Sequence, residues 1–112
     1  MKIYLLRDHP TPEQVREMLQ VFKTFIKLAV DVERGVLAGG SEMHYQCEQL
    51  LLDDGSRQED IWGADWLPDE KSVKFEALIN IRPRQNNRSM TIQDPNLCAR
   101  IEKFVHFIFE SS

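Results

Sequence analysis

The sequence predicts an α+β fold: an antiparallel β-meander with two helices packed on one face, in two layers. Three observations predict it. Helix starts stand toward the two ends of the chain, at Thr11-Pro12 and at Asp94-Pro95. Between them lie short runs that alternate apolar and polar side chains, clearest from Val73 to Arg82. Turn signals such as Asp54-Gly55-Ser56 and Pro68-Asp69-Glu70-Lys71 separate the runs, and short turns join strands antiparallel.

Lys2–Leu6 reads as a short buried strand, nearly all apolar. Thr11 is then an N-cap, Pro12 the first helical residue, and Gln14 completes a capping box. An apolar stripe at helical spacing (Val15, Met18, Leu19, Phe22, Phe25, Ile26, Ala29, Val32) predicts a helix that Gly35 ends. Val36–Ala38 starts a strand that Gly39 and Gly40 break. Residues 41–53 fit two readings. A helix sets His44 beside Glu48; a strand sets Met43, Tyr45 and Cys47 against His44, Gln46 and Glu48. The strand is preferred, because a turn signal and a further strand-like run follow. That run is Asp60–Leu67, with Trp62, Ala64 and Trp66 on one face. Val73–Arg82 is the clearest strand, with Leu78 the one break in its alternation. A turn over Pro83–Asn87 and a short strand Arg88–Ile92 follow. Asp94 caps the last helix, whose buried stripe is Leu97, Ile101, Phe104, Val105 and Ile108.

The 112 residues suit a single domain, 1–112. Hydrophobic residues make up 42% and charged residues 29%, values ordinary for a globular chain. A net charge of -4 argues against broad charge-driven nucleic-acid binding. The apolar runs are too short for a membrane span or a signal peptide, so a cytoplasmic setting is expected. Cys47 and Cys98 form no CxxC pair and read as reduced core thiols. No cofactor motif is present. His44 and Glu48 alone are too few for a metal centre, so no metal is expected.

Pleat arithmetic divides the meander. Its helix-covered face would hold Tyr45, Cys47, Trp62, Trp66, Phe75, Ile79, Ile81 and Met90. The other face would gather His44, Gln46, Glu48, Asp65, Glu76, Asn80 and Arg82. Arg82, Arg84 and Arg88 lie within seven residues, among Gln85, Asn86 and Asn87. Guanidinium forks suit phosphate or carboxylate. The plain alternative is a wet face with cross-strand ion pairs, in which Arg82 and Arg88 pair with Glu76 or Asp65. Arg88 shares strand parity with Met90, so it reaches the polar face only through an extended turn or a bulge.

The segments AGGSEMH (38–44), LLLDDGSRQEDIWG (50–63) and LINIRPRQNNRSMTIQDP (78–95) resemble a family of small bacterial proteins, a domain of unknown function. That family's segments run GGE-H, GS-Q-D-WG and SLINIRP-NRS-QDP. This chain departs from them with Ser41 inside the first and with Ala77 where serine is expected. The resemblance implies a bacterial cytosolic setting and carries no activity. Matching positions include His44, Asn80, Arg82, Asn87 and Arg88, while Gly55, Ser56 and Asp94 suit turns and caps.

The expected function is a binding or protein-interaction module. Its candidate face is His44, Glu48, Asn80, Arg82, Asn87 and Arg88, its candidate partners a small anionic ligand or a second copy paired through an edge strand. The alternative is an arginine-assisted hydrolase of a phosphate-bearing substrate, with His44 and Glu48 moving protons. A second alternative, by analogy of fold alone, is an RNA-cleaving toxin, and the acidic charge weighs against it.

Overall fold

The computed structural model describes residues 1–110. Its strands are β1 (Tyr4–Leu6), β2 (Ile26–Asp31), β3 (Val36–Gly39), β4 (Ile61–Leu67) and β5 (Ser72–Lys74). They form an antiparallel sheet in the order β1-β3-β2-β4-β5. The helices are α1 (Pro12–Met18), α2 (His44–Asp53) and α3 (Pro95–Phe109). The α+β class with an antiparallel sheet is as the sequence predicts.

So is the placing of α1 and α3 on one face. Met18, Ile101, Val105 and Ile108 pack there against Ile26, Leu28, Val30, Leu37, Trp62, Ala64 and Trp66. Both tryptophans lie in this core, as their spacing implies. Both helix starts are also as read. The Thr11 hydroxyl accepts from the Gln14 N–H at 3.1 Å, and Gln14 Oε1 accepts from the Thr11 N–H at 2.8 Å. Asp94 Oδ1 accepts from the Asn96 N–H at 2.9 Å.

Four elements differ from expectation. The first helix ends at Met18 instead of running to Gly35, and Ile26–Asp31 is the central strand. Its apolar run satisfies both periods. Ile26, Leu28 and Val30 line one face, Ala29 and Asp31 the other, and all five are sealed from solvent. A strand buried on both faces loses the alternation that would identify it. Gly35 belongs to the β2–β3 hairpin, where Asp31 pairs with Val36.

Residues 44–53 form a helix, not the preferred strand. Cys47 and Leu51, four residues apart, pack on Ala29, Val36, Ala38 and Ile61, so α2 covers the sheet's second face. Asp54-Gly55-Ser56 is its C-cap. Gly55 takes φ +104°, its N–H donates to Leu52 O, and the Ser56 N–H donates to Leu51 O at 2.9 Å. That is a Schellman ending, and it shares its Asp-Gly signature with a hairpin turn.

The strand expected over Val73–Arg82 leaves the sheet after Lys74, and Arg88–Ile92 is no regular strand. The two limbs meet through bridges at Glu76–Thr91 and Arg82–Asn87, with a 3₁₀ turn at Leu78–Asn80. Gly63 allows the excursion to lie against β4: a Cβ there would stand 2.5 Å from Ala77 Cβ. Pleat parity therefore fails beyond Lys74. Ile81 and Met90, assigned to the covered face, are exposed, and so is Tyr45, on the outside of α2.

Cys47 is buried, Cys98 is partly so, and both are free thiols. Among the described residues, no helix is long and apolar enough to cross a membrane.

Candidate functional site

β5 pairs only with Asp65–Leu67, so the Ile61–Gly63 stretch of β4 has no strand on that side. Side chains take the place of the missing strand. Asn80, fully buried, accepts from the Gly63 N–H at 2.8 Å and donates to Gly63 O at 3.0 Å. Its amide also donates to Met90 O at 3.2 Å and to Phe75 O at 3.4 Å. A side-chain amide carries the same donor and acceptor as a peptide group, so it can satisfy both edge groups of Gly63.

Arg82 serves the next edge carbonyl. It donates to Ile61 O, to Gln58 O at 2.6 Å, to Ile79 O at 3.0 Å and to Gln85 Oε1 at 3.3 Å. Its guanidinium lies 4.6 Å from the centre of the Trp62 ring. Glu48 reaches it from α2 at 3.4 Å. Burial pushes the Glu48 carboxyl pKa up, and the Arg82 charge opposes that shift. Burial likewise pulls the Arg82 guanidinium down against the pull of Glu48.

His44 opens α2, one turn before Glu48 on the same side of the helix. Its Nε2 lies 2.8 Å from Asp65 Oδ1 and 3.2 Å from Ala64 O. Both side chains are mostly buried, 11% exposed for His44 and 16% for Asp65.

The six candidate residues fall into three groups. His44 and Glu48 stand side by side on α2, facing Asp65 and Arg82. Asn80 and Asn87 are buried and joined: Asn87 Nδ2 donates to Asn80 O at 2.7 Å, to Ser89 O at 3.0 Å and to Thr91 O at 3.2 Å. Asn87 Oδ1 accepts from the Gln93 N–H at 2.8 Å, which closes the 80–93 excursion on itself. Arg88 stands apart, exposed, with its backbone N–H on Gln93 Oε1 at 3.4 Å.

Beside His44 a groove of about 380 Å³ opens between the start of α2, β2, β4 and the excursion. Phe25, Met43, Tyr45, Leu78, Ile79 and Met90 supply its apolar lining; Lys27, His44, Asp65 and Glu76 are its charged or polar members. Met43 is 42% exposed, Tyr45 57%, Leu78 63% and Met90 42%. Of these, only Leu78 carried a signal in the sequence, as the residue that breaks the alternation of its run. Tyr45 and Met90 were hidden by the strand parity assigned to them.

A family model described as "Protein of unknown function (DUF5674)" matches residues 4–108. No curated protein and no solved structure matches the chain. A match over nearly the whole length places the chain: it belongs to the DUF5674 family of proteins of unknown function.

Proposed function

We propose that this chain is a small binding module whose ligand site is the groove at the start of α2. One observation carries the reading: four large apolar side chains, Met43, Tyr45, Leu78 and Met90, stand exposed around a single concavity that also holds a histidine–aspartate pair. Apolar surface gathered in one place marks interaction sites, since scattered exposure is the norm elsewhere. In this reading His44 belongs to the binding face, while Glu48, Asn80, Arg82 and Asn87 hold the excursion that forms one wall.

Nile red titration tests it. The wild-type protein is expected to enhance the dye's emission saturably. Leu78→Glu and Met90→Glu, at exposed positions, are expected to leave the circular dichroism unchanged and to weaken binding about tenfold or more. Unchanged titrations in both variants would remove the groove as the site.

The hydrolase alternative draws on a different observation, a histidine oriented by a carboxylate at 2.8 Å, as general bases often are. It has less support on the phosphate side, because the Arg82 N–H groups already serve carbonyls at Ile61, Gln58 and Ile79. A phosphodiesterase screen comparing wild type with His44→Ala decides it. Pairing with a second copy would use β1 or β5, the two ends of the sheet; sedimentation velocity reads it directly.

A further inference from the structure

We infer that the groove takes a small, mostly apolar ligand that donates one hydrogen bond, from a hydroxyl or an N–H, to Nδ1 of His44. The inference rests on the binding reading above and names the ligand's chemistry.

It follows from the surroundings of the imidazole. Nε2 faces Asp65 Oδ1 at 2.8 Å and Ala64 O at 3.2 Å. A carboxylate and a carbonyl only accept, so Nε2 carries the proton. In the neutral ring Nδ1 is then a lone-pair acceptor. This is how a carboxylate fixes the tautomer of a histidine whose other nitrogen does the work. Among the described residues no donor reaches Nδ1, and no buried side-chain nitrogen or oxygen is left unpartnered. Nδ1 is therefore not sealed from solvent, and His44 is one of the residues that line the groove.

Size and charge narrow the class. A volume of about 380 Å³ falls within the span of small-molecule sites. The walls from Phe25, Ile79 and Met90 offer apolar contact without direction. Asp65 and Glu76 outnumber Lys27 in the lining, which favours a donor over an anion. Asp65 Oδ1 is engaged by His44 and Glu76 is exposed, so Nδ1 is the acceptor we assign to directional recognition, and an unmatched ligand forfeits that hydrogen bond.

The test compares four probes of one shape: 4-propylphenol, 4-propylanisole, propylbenzene and 4-propylbenzoate. Each is titrated into the ¹⁵N-labelled full chain in mildly alkaline buffer, with amide and imidazole ¹⁵N spectra recorded. The free protein is expected to show His44 as the Nε2–H tautomer. The phenol is expected to shift Nδ1 and the amides of Tyr45, Leu78 and Met90 saturably. The ether and the hydrocarbon are expected to bind about fivefold or more weakly. In His44→Phe the phenol and the ether are expected to bind alike. Equal binding of phenol and ether to the wild-type groove overturns the inference and leaves the binding reading standing. Tighter binding by the benzoate, or an Nδ1–H tautomer, also overturns it. If none of the four moves the groove amides, both readings fail together.

Discussion

Asn80 shows how one side chain can replace a stretch of backbone. It is sealed from solvent and bonds both edge groups of Gly63 together with two carbonyls of the excursion. Truncating it to alanine strands these groups in the interior, where each unmet partner costs the most. Asn80→Ala is expected to lower unfolding stability by about 3 kcal/mol, read from urea denaturation, with Asn87→Ala acting in the same direction. A loss under about 0.5 kcal/mol would mean water replaces the amide. The sequence places His44, Glu48, Asn80 and Arg82 together on one polar sheet face through a strand pleat. In the structure His44 and Glu48 stand on a helix, facing Asp65 and Arg82, while Asn80 sits in a 3₁₀ turn, buried against Gly63. The partners Glu48–Arg82 and His44–Asp65 are long-range pairs, and no local rule selects them.

At the scale of elements, α2 decides what the second sheet face is for. Its C-terminal end is tied to the β2–β3 hairpin by Arg34, which donates to Ser56 Oγ at 2.6 Å and to Asp54 Oδ2 at 2.9 Å. Arg7 adds a contact to the same carboxylate. The Arg34 and Arg7 guanidiniums hold the Asp54 carboxyl below its ordinary value of 3.8. A pKa lower in the folded than in the unfolded chain stabilises the fold above the ordinary carboxylate value. That contribution is lost as pH falls through the lower, folded value. Asp54→Asn is therefore expected to lower the urea midpoint at pH 7 and to narrow the difference from wild type on acidification toward pH 3. An equal deficit at both pH values would remove the ion pair as the cause. Capped starts were legible for α1 and α3 because capping is local chemistry. The identity of α2 was not: Cys47 and Leu51 suit either period, and Asp-Gly ends helices and turns hairpins alike.

For the molecule as a whole, the consequence of α2 is a sheet covered on both faces, with β2 at its centre. Leu28, Ala29 and Val30 are paired on both sides and completely buried. Their amides are expected to exchange with deuterium only through global unfolding, and those of the Pro83–Asn86 turn much sooner. Protection no greater in β2 than in that turn would show that the sheet opens piecemeal. Covering both faces also leaves the groove beside His44 as a concavity where exposed apolar side chains gather. The sequence by itself determined the α+β class, the two capped helices, the shared face of α1 and α3 and the inward tryptophans. Each of these follows from caps and periodicity within a few neighbouring residues. Only the tertiary structure decided that 26–31 is a strand, that 44–53 is a helix and that the chain leaves the sheet at Lys74. Those segments carry patterns that fit two conformations, and the choice between them is made by burial against residues distant in the chain.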